Sequence, residues 1–150
     1  MKTGSPFRLI EDTRCQQAMP WPDGVIVERR TMPEADYTTE PLWGIAAIEL
    51  KRDDFAAAVG SDRERFDREI ERLKAYRFKA IIIADEILGV YRRTLVHPHA
   101  IIGSIASWYA RHEIPCLFVG NDAGAARLIA GLLRRWEGRI VAEREGGAAA

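Results

Sequence analysis

Apolar residues follow two different rhythms along the chain. In the first third they come in short bursts at 7–10, 24–27, 37–39 and 45–50, the first ending in Glu11 and Asp12 and the second preceded by the turn-rich Pro20-Trp21-Pro22-Asp23. Bursts of this length bounded by Gly, Pro and Asp predict strands. The connector Glu40-Pro41-Leu42-Trp43-Gly44 suits a hairpin, so these four strands are expected to be antiparallel or mixed. From Ser61 the period changes: Phe66, Ile70, Leu73 and Tyr76 recur at helical spacing, and Ser61 with Glu64 matches the S-x-x-E capping box, predicting a helix over 62–76.

The second half alternates. A β-branched run at 80–84 predicts a strand, 98–111 a helix, 116–119 a strand and 123–136 a final helix. Short, continuously apolar strands between helices are those of a parallel sheet buried on both faces. The expected fold is α/β, a mixed β-sheet flanked by α-helices, with one domain over 7–139, an N-terminal tail over 1–6 and a disordered tail over 140–150 ending in Gly-Gly-Ala-Ala-Ala. The length of 150 residues suits one core, burying roughly 70% of the unfolded surface.

Charge narrows the function classes. The 22 Lys and Arg balance 22 Asp and Glu, which excludes gripping a polyanion by bulk field alone and requires any such site to be a local patch. Of the cations 18 are Arg, the residue suited to bidentate contact with phosphate, although Arg-rich codon usage gives the same count. No apolar run approaches the roughly 18 residues of a membrane span, and the start MKTGSPFRLIED has no signal-peptide core, so no membrane partner and a cytoplasmic setting are expected. Two cysteines, Cys15 and Cys116, make neither a disulfide framework nor a four-ligand zinc site.

The candidate chemistry sits at strand ends. In Ile48-Glu49-Leu50-Lys51 a period of two puts Glu49 and Lys51 on one face and Ile48 and Leu50 on the other. Asp36 begins the preceding strand, and a hairpin returns Glu49 close to it. This is the D…E-x-K arrangement of metal-dependent nucleases, in which carboxylates hold a divalent ion and the lysine orients or activates water. The same alternation is also that of an ordinary half-exposed strand. Asp12 ends another predicted strand and is followed by Arg14, suited to contacting a phosphate or fixing a carboxylate.

The order of these pieces, Ile10-Glu11-Asp12-Thr13-Arg14, Ala35-Asp36-Tyr37, Ile48-Glu49-Leu50-Lys51, then Arg63-x-Arg65-Phe66-x-x-Glu69, resembles the ERCC4-type (XPF-like) nuclease domain of the restriction-endonuclease-like superfamily. The later stretch from His97-Pro98-His99 to Trp136 looks like the rest of that domain. The resemblance implies a restriction-endonuclease-like fold and divalent-metal-dependent hydrolysis of DNA at branches, flaps or junctions, with Mg2+, or Mn2+, as cofactor. By position it makes Asp12, Asp36 and Glu49 the metal ligands, Lys51 the catalytic lysine and Arg14 the active-site arginine. Asp54, Arg65 and Glu69 fall in the outer part of the site.

Four positions depart from the family pattern. Cys15 replaces a Glu, Ala35 replaces the Gly of Gly-Asp-Tyr, Leu50 replaces the Arg of Glu-Arg-Lys, and the acid after the lysine is matched, one residue early, by Asp54 or Asp53. A thiol is a poor magnesium ligand. The second expectation is therefore a catalytically silent nuclease-fold protein that binds DNA or docks a partner, and the third a resolvase of four-way junctions. A homodimer is compatible with two-armed DNA, and the resemblance points to a bacterial or phage-type protein. The remaining charges of 62–76 read as a solvated face with i to i+4 ion pairs. His97 and His99 read as a turn and helix cap, Asn121 or Asp122 as a helix cap, and Cys116 as core.

Overall fold

The computed structural model describes residues 5–149 and places eleven elements on one six-stranded sheet. The strands are β1 (Phe7–Asp12), β2 (Val25–Arg30), β3 (Tyr37–Thr38), β4 (Ala46–Lys51), β5 (Phe78–Ile83) and β6 (Cys116–Phe118). The helices are α1 (Phe55–Ala58), α2 (Arg63–Leu73), α3 (Ile87–Arg93), α4 (Pro98–His112) and α5 (Asp122–Ala149). The sheet runs β2-β1-β3-β4-β5-β6 and is mixed: β1 pairs parallel with β2 and antiparallel with β3, β3 pairs antiparallel with β4, and β4, β5 and β6 are parallel. The expected α/β class, a mixed sheet flanked by helices, is the observed one.

Two cores sandwich the sheet. On one face Leu9, Ile48, Leu50 and Ile82 pack with Ala126, Ile129 and Leu133 of α5. On the other, Ala47, Ile81 and Ile83 meet Phe55, Phe66, Ile70, Leu73 and Trp108 from α1, α2 and α4. Because side chains alternate along a strand, Glu49 and Lys51 share the face of Ala47, and Leu50 faces α5, as the spacing predicts. The burial of Phe66, Ile70 and Leu73 fixes how α2 is rotated, and with it which charged residues face the strand ends.

Local chemistry departs from the sequence reading in several places. The Ser61/Glu64 capping box does not form: Asp62 is the N-cap of α2, and no side chain caps its amides. Short helices α1 and α3, of four and seven residues, were too brief to show a period. Helix α5 runs well past Trp136, so 140–149, read as a tail, are helical; Ile140 is buried and Arg77 binds Glu143 through two hydrogen bonds of 2.7 and 2.6 Å. Two cap expectations do hold: His97 accepts from His99 N at 3.1 Å, and Asn121 from Gly124 N at 2.8 Å. Among the described residues no helix is long and apolar enough to cross a membrane.

Candidate active site

The C-terminal ends of β1 and β4 and the start of β3 meet at one end of the central strands of the sheet. Asp12 N donates to Asp36 O at 2.8 Å and Asp36 N to Ile48 O at 2.9 Å, so backbone pairing alone aligns Asp12, Asp36 and the Glu49 strand. Helix α2 forms the opposite wall. The result is a cavity of about 290 Å³ lined by Asp12, Arg14, Asp36, Glu49, Lys51, Asp54, Arg65, Glu69 and Arg72, with Ala35 and Leu50 contributing backbone and methyl surface. All eight sequence-derived candidates are in it.

Asp12 is saturated with donors. Its Oδ1 accepts from Met32 N at 2.9 Å, and its Oδ2 from Arg14 Nε at 2.5 Å and, more loosely, Arg14 N at 3.3 Å. Burial acts to raise its pKa, but the Met32 and Arg14 bonds and the Arg14 charge outweigh burial and hold it below the usual carboxylate range. Arg14 is in turn held above its ordinary range, first by its bond to Asp12. Its Nη2 donates to Met32 O at 3.0 Å, its side chain is 64% exposed, and Nη1 has no hydrogen-bond partner among the described residues.

Asp36 and Glu49 are in the opposite condition. Asp36 Oδ2 accepts from Leu50 N at 2.8 Å and Oδ1 receives only a weak bond from Cys15 Sγ at 3.6 Å. The two carboxyls lie within hydrogen-bonding reach of each other. Burial raises the pKa of Asp36 against the opposing Leu50 bond, and burial followed by the Asp36 charge pushes Glu49 well above the usual range, with Lys51 opposing. Two like-charged carboxyls this close, one buried and one half-buried, need a proton or a cation between them.

Lys51 supplies part of that charge. Its Nζ lies 3.6 Å from Glu49 Oε1, 3.0 Å from Glu69 Oε2 and 5.4 Å from the Phe66 ring centroid. Burial works to lower its pKa, but the flanking carboxylates prevail and keep it a charged ammonium above its ordinary range. The Glu69 contact is an ion pair outside hydrogen-bond alignment, so Glu69 Oε2 is buried without a hydrogen-bond donor. Asp54 has turned to the backbone, accepting from Arg52 N at 2.7 Å.

Three of the family departures acquire a physical reading. Cys15 is pushed up to about 12 by burial and the neighbouring acids, so it stays a thiol and donates to Asp36 where a carboxylate would have repelled it. Ala35 adopts a left-handed backbone with φ of 64°, which a glycine takes without strain. Leu50 is core, its amide rather than its side chain serving the site.

A hard divalent ion fits this donor set in part. Among the described residues no three His, Cys, Asp or Glu side chains are placed to hold an ion together. Asp36 and Glu49 nonetheless present two carboxyls to one cavity, and Mg2+ is commonly held by one or two carboxylates with water and substrate phosphate completing its shell. Asp12, expected as a third ligand, has both oxygens engaged. Sequence reasoning missed Met32, whose backbone fixes both Asp12 and Arg14, and Arg72, which carries no motif; its signal is its spacing of seven from Arg65, two helical turns on the same face.

The ERCC4 domain model matches residues 11–132. XPF from Aeropyrum pernix is similar in structure, with a TM-score of 0.71 and 24% sequence identity over 85% of this chain and 60% of that one. XPF from Aeropyrum pernix in complex with DNA matches equally, with a TM-score of 0.71 and 24% identity over 85% of this chain and 63% of that one. This chain thus spans less than two thirds of the length of both. No curated protein matches it. With the matched segment covering the end of β1, the other five strands and every residue that lines the cavity, the chain belongs to the ERCC4 domain family.

Proposed function

We propose that this chain is a divalent-metal-dependent DNA endonuclease that hydrolyses phosphodiester bonds in branched, flap or junction-containing DNA. One observation carries the reading: the mutually repelling pair of half-buried Asp36 and buried Glu49 opens into the same cavity as the Lys51 ammonium and the free edge of Arg14. Membership of the ERCC4 family and the DNA complex of a structurally similar protein support DNA as the substrate.

Asp36 and Glu49 would hold the ion, Mg2+ or Mn2+. When bound, it supplies neutralisation of charge on the nonbridging phosphate oxygens and a lowered pKa for water. Lys51, charged and fixed by Glu69, donates a hydrogen bond that orients water or a phosphate oxygen; it does not serve as a base while it keeps its proton. Arg14 turns Nη1 to the scissile phosphate, and Asp12 positions Arg14 through Nε. The test is a panel of labelled flap, fork, four-way-junction and linear duplex DNA with Mg2+ or Mn2+. Cutting at the branched substrates that Glu49→Gln abolishes supports the proposal; cutting of none contradicts it.

A catalytically silent DNA-binding protein is the second reading, favoured by Cys15 and by the engagement of Asp12 with Arg14. It predicts branched-DNA binding by wild type and Glu49→Gln alike, with no cutting under either metal.

A further inference from the structure

The cavity has an acidic floor and two basic walls, and of the arginines that line them only Arg72 lies outside the family pattern. Arg14 stands on the β1 side. Across the carboxylates, Arg65 and Arg72 line the cavity from α2. Residues 65, 69 and 72 fall on one helix face, and the burial of Phe66, Ile70 and Leu73 against the core turns that face toward the strand ends. Seven residues place the Cα atoms of Arg65 and Arg72 roughly 10 Å apart along the helix axis, so the two span the length of that wall.

Their charges are unequally available. Arg65 Nε is 3.9 Å from Glu69 Oε1, a loose pair. Arg72 is exposed and has no carboxylate within ion-pair distance among the described residues. Of the arginines elsewhere on the surface some are paired, Arg52 with Asp122, Arg63 with Asp67 and Arg77 with Glu143, and those without an ion pair do not line this cavity. An unpaired guanidinium at the mouth of an acidic cavity suits an anion that spans the opening.

Resting on the nuclease reading above, we propose that Arg72, with Arg65 as a weaker second contact, binds the DNA backbone at a phosphate beside the scissile one, so that the cut strand crosses the carboxylates between Arg14 and α2. The contact is electrostatic and independent of base sequence.

The test measures binding of labelled flap DNA at several salt concentrations by the Glu49→Gln protein, in which cutting does not intervene. Adding Arg72→Ala should weaken binding about fivefold to tenfold at low salt and reduce the slope of log K against log salt by about 0.7 to 0.9. Arg144→Ala, an exposed arginine near the far end of α5, removes the same charge and should leave the slope unchanged. Replacing single phosphates of the flap by neutral methylphosphonates should then identify one position whose penalty disappears in Arg72→Ala. If the Glu49→Gln protein binds DNA but Arg72→Ala leaves the slope unchanged, or Arg144→Ala lowers it as much, the contact is refuted and the nuclease reading stands. No DNA binding at any salt refutes both.

Discussion

The two sides of the cavity carry the same kind of side chain, a carboxylate at a strand end, and hold it in opposite ways. On the β1 side Asp12 accepts from Met32 N and Arg14, and its charge is stabilised before any ligand arrives. On the β3–β4 side half-buried Asp36 and buried Glu49 lie close together with few donors, and their charge is costly. Hydrogen bonds to a charged carboxylate stabilise the fold, whereas repelling buried carboxylates destabilise it until a cation neutralises them. The first side is therefore scaffold for Arg14, and on the function proposed above the second is where an ion would be held. A protein can keep such a pair only if binding recovers the stability that the empty seat costs.

The largest expected effect separates the two walls by activity. Glu49→Gln should lower metal-supported cleavage by about 10³-fold or more, while removal of a single positioning interaction through Asp12→Asn costs less, of the order of 10²-fold; single-turnover rates on one flap substrate would show it. Stability should order the same variants the other way. Asp12→Asn keeps one acceptor oxygen and replaces the other by an NH2 donor, so either Met32 N or Arg14 Nε loses its acceptor, and should cost about 1–3 kcal/mol, whereas Glu49→Gln should raise the melting temperature of the metal-free protein at neutral pH. Equal destabilisation by both would erase the distinction.

The pH dependence sharpens it further. A carboxyl whose folded pKa is raised binds more protons folded than unfolded, so its effect on stability turns unfavourable as pH rises from the usual carboxylate range through the raised value. The metal-free wild type should therefore lose melting temperature over that window, and Glu49→Gln should lose less. Asp12, with a lowered pKa, contributes stability above the usual range that is lost as pH falls through its folded value. A divalent ion at ten times its Kd should add about 1.4 kcal/mol to wild type, a few degrees in a chain of this size, and nothing to Glu49→Gln.

Smaller effects concern the frame. Ala35→Gly, which relieves the left-handed backbone beside Asp36, should stabilise by about 0.5–1 kcal/mol, the strain removed exceeding the chain entropy that glycine adds. Arg52→Ala removes a partly exposed pair with Asp122 that ties β4 to the start of α5, worth about 0.2–1 kcal/mol. Both are read by chemical denaturation.

Most of the fold was legible because its strands and long helices have clean periods. The runs at 7–10, 24–27, 45–50 and 80–84 became β1, β2, β4 and β5 within two or three residues, and the Phe66-Ile70-Leu73 stripe became the buried face of α2. Helices α1 and α3 were not legible, being shorter than the window in which a period shows. The end of α5 was hidden for another reason: Gly146 and Gly147 read as a tail, yet Ile140 and the Arg77–Glu143 pair continue its packing before them. At the site, the acids, Lys51 and Arg14 could be read from strand-end position. The unequal states of Asp12 and the Asp36–Glu49 pair could not, since they depend on backbone donors, Met32 N and Leu50 N, that any residue type would supply.

The most direct test of the central claim is the cleavage rate of one flap DNA followed against Mn2+ concentration for wild type and Glu49→Gln, both first shown to be folded. The account predicts a rate that is absent in chelator, rises and saturates with metal in the wild type, and stays at background in Glu49→Gln at every concentration. Cleavage that persists in chelator, or that follows the same metal curve in both proteins, would contradict it.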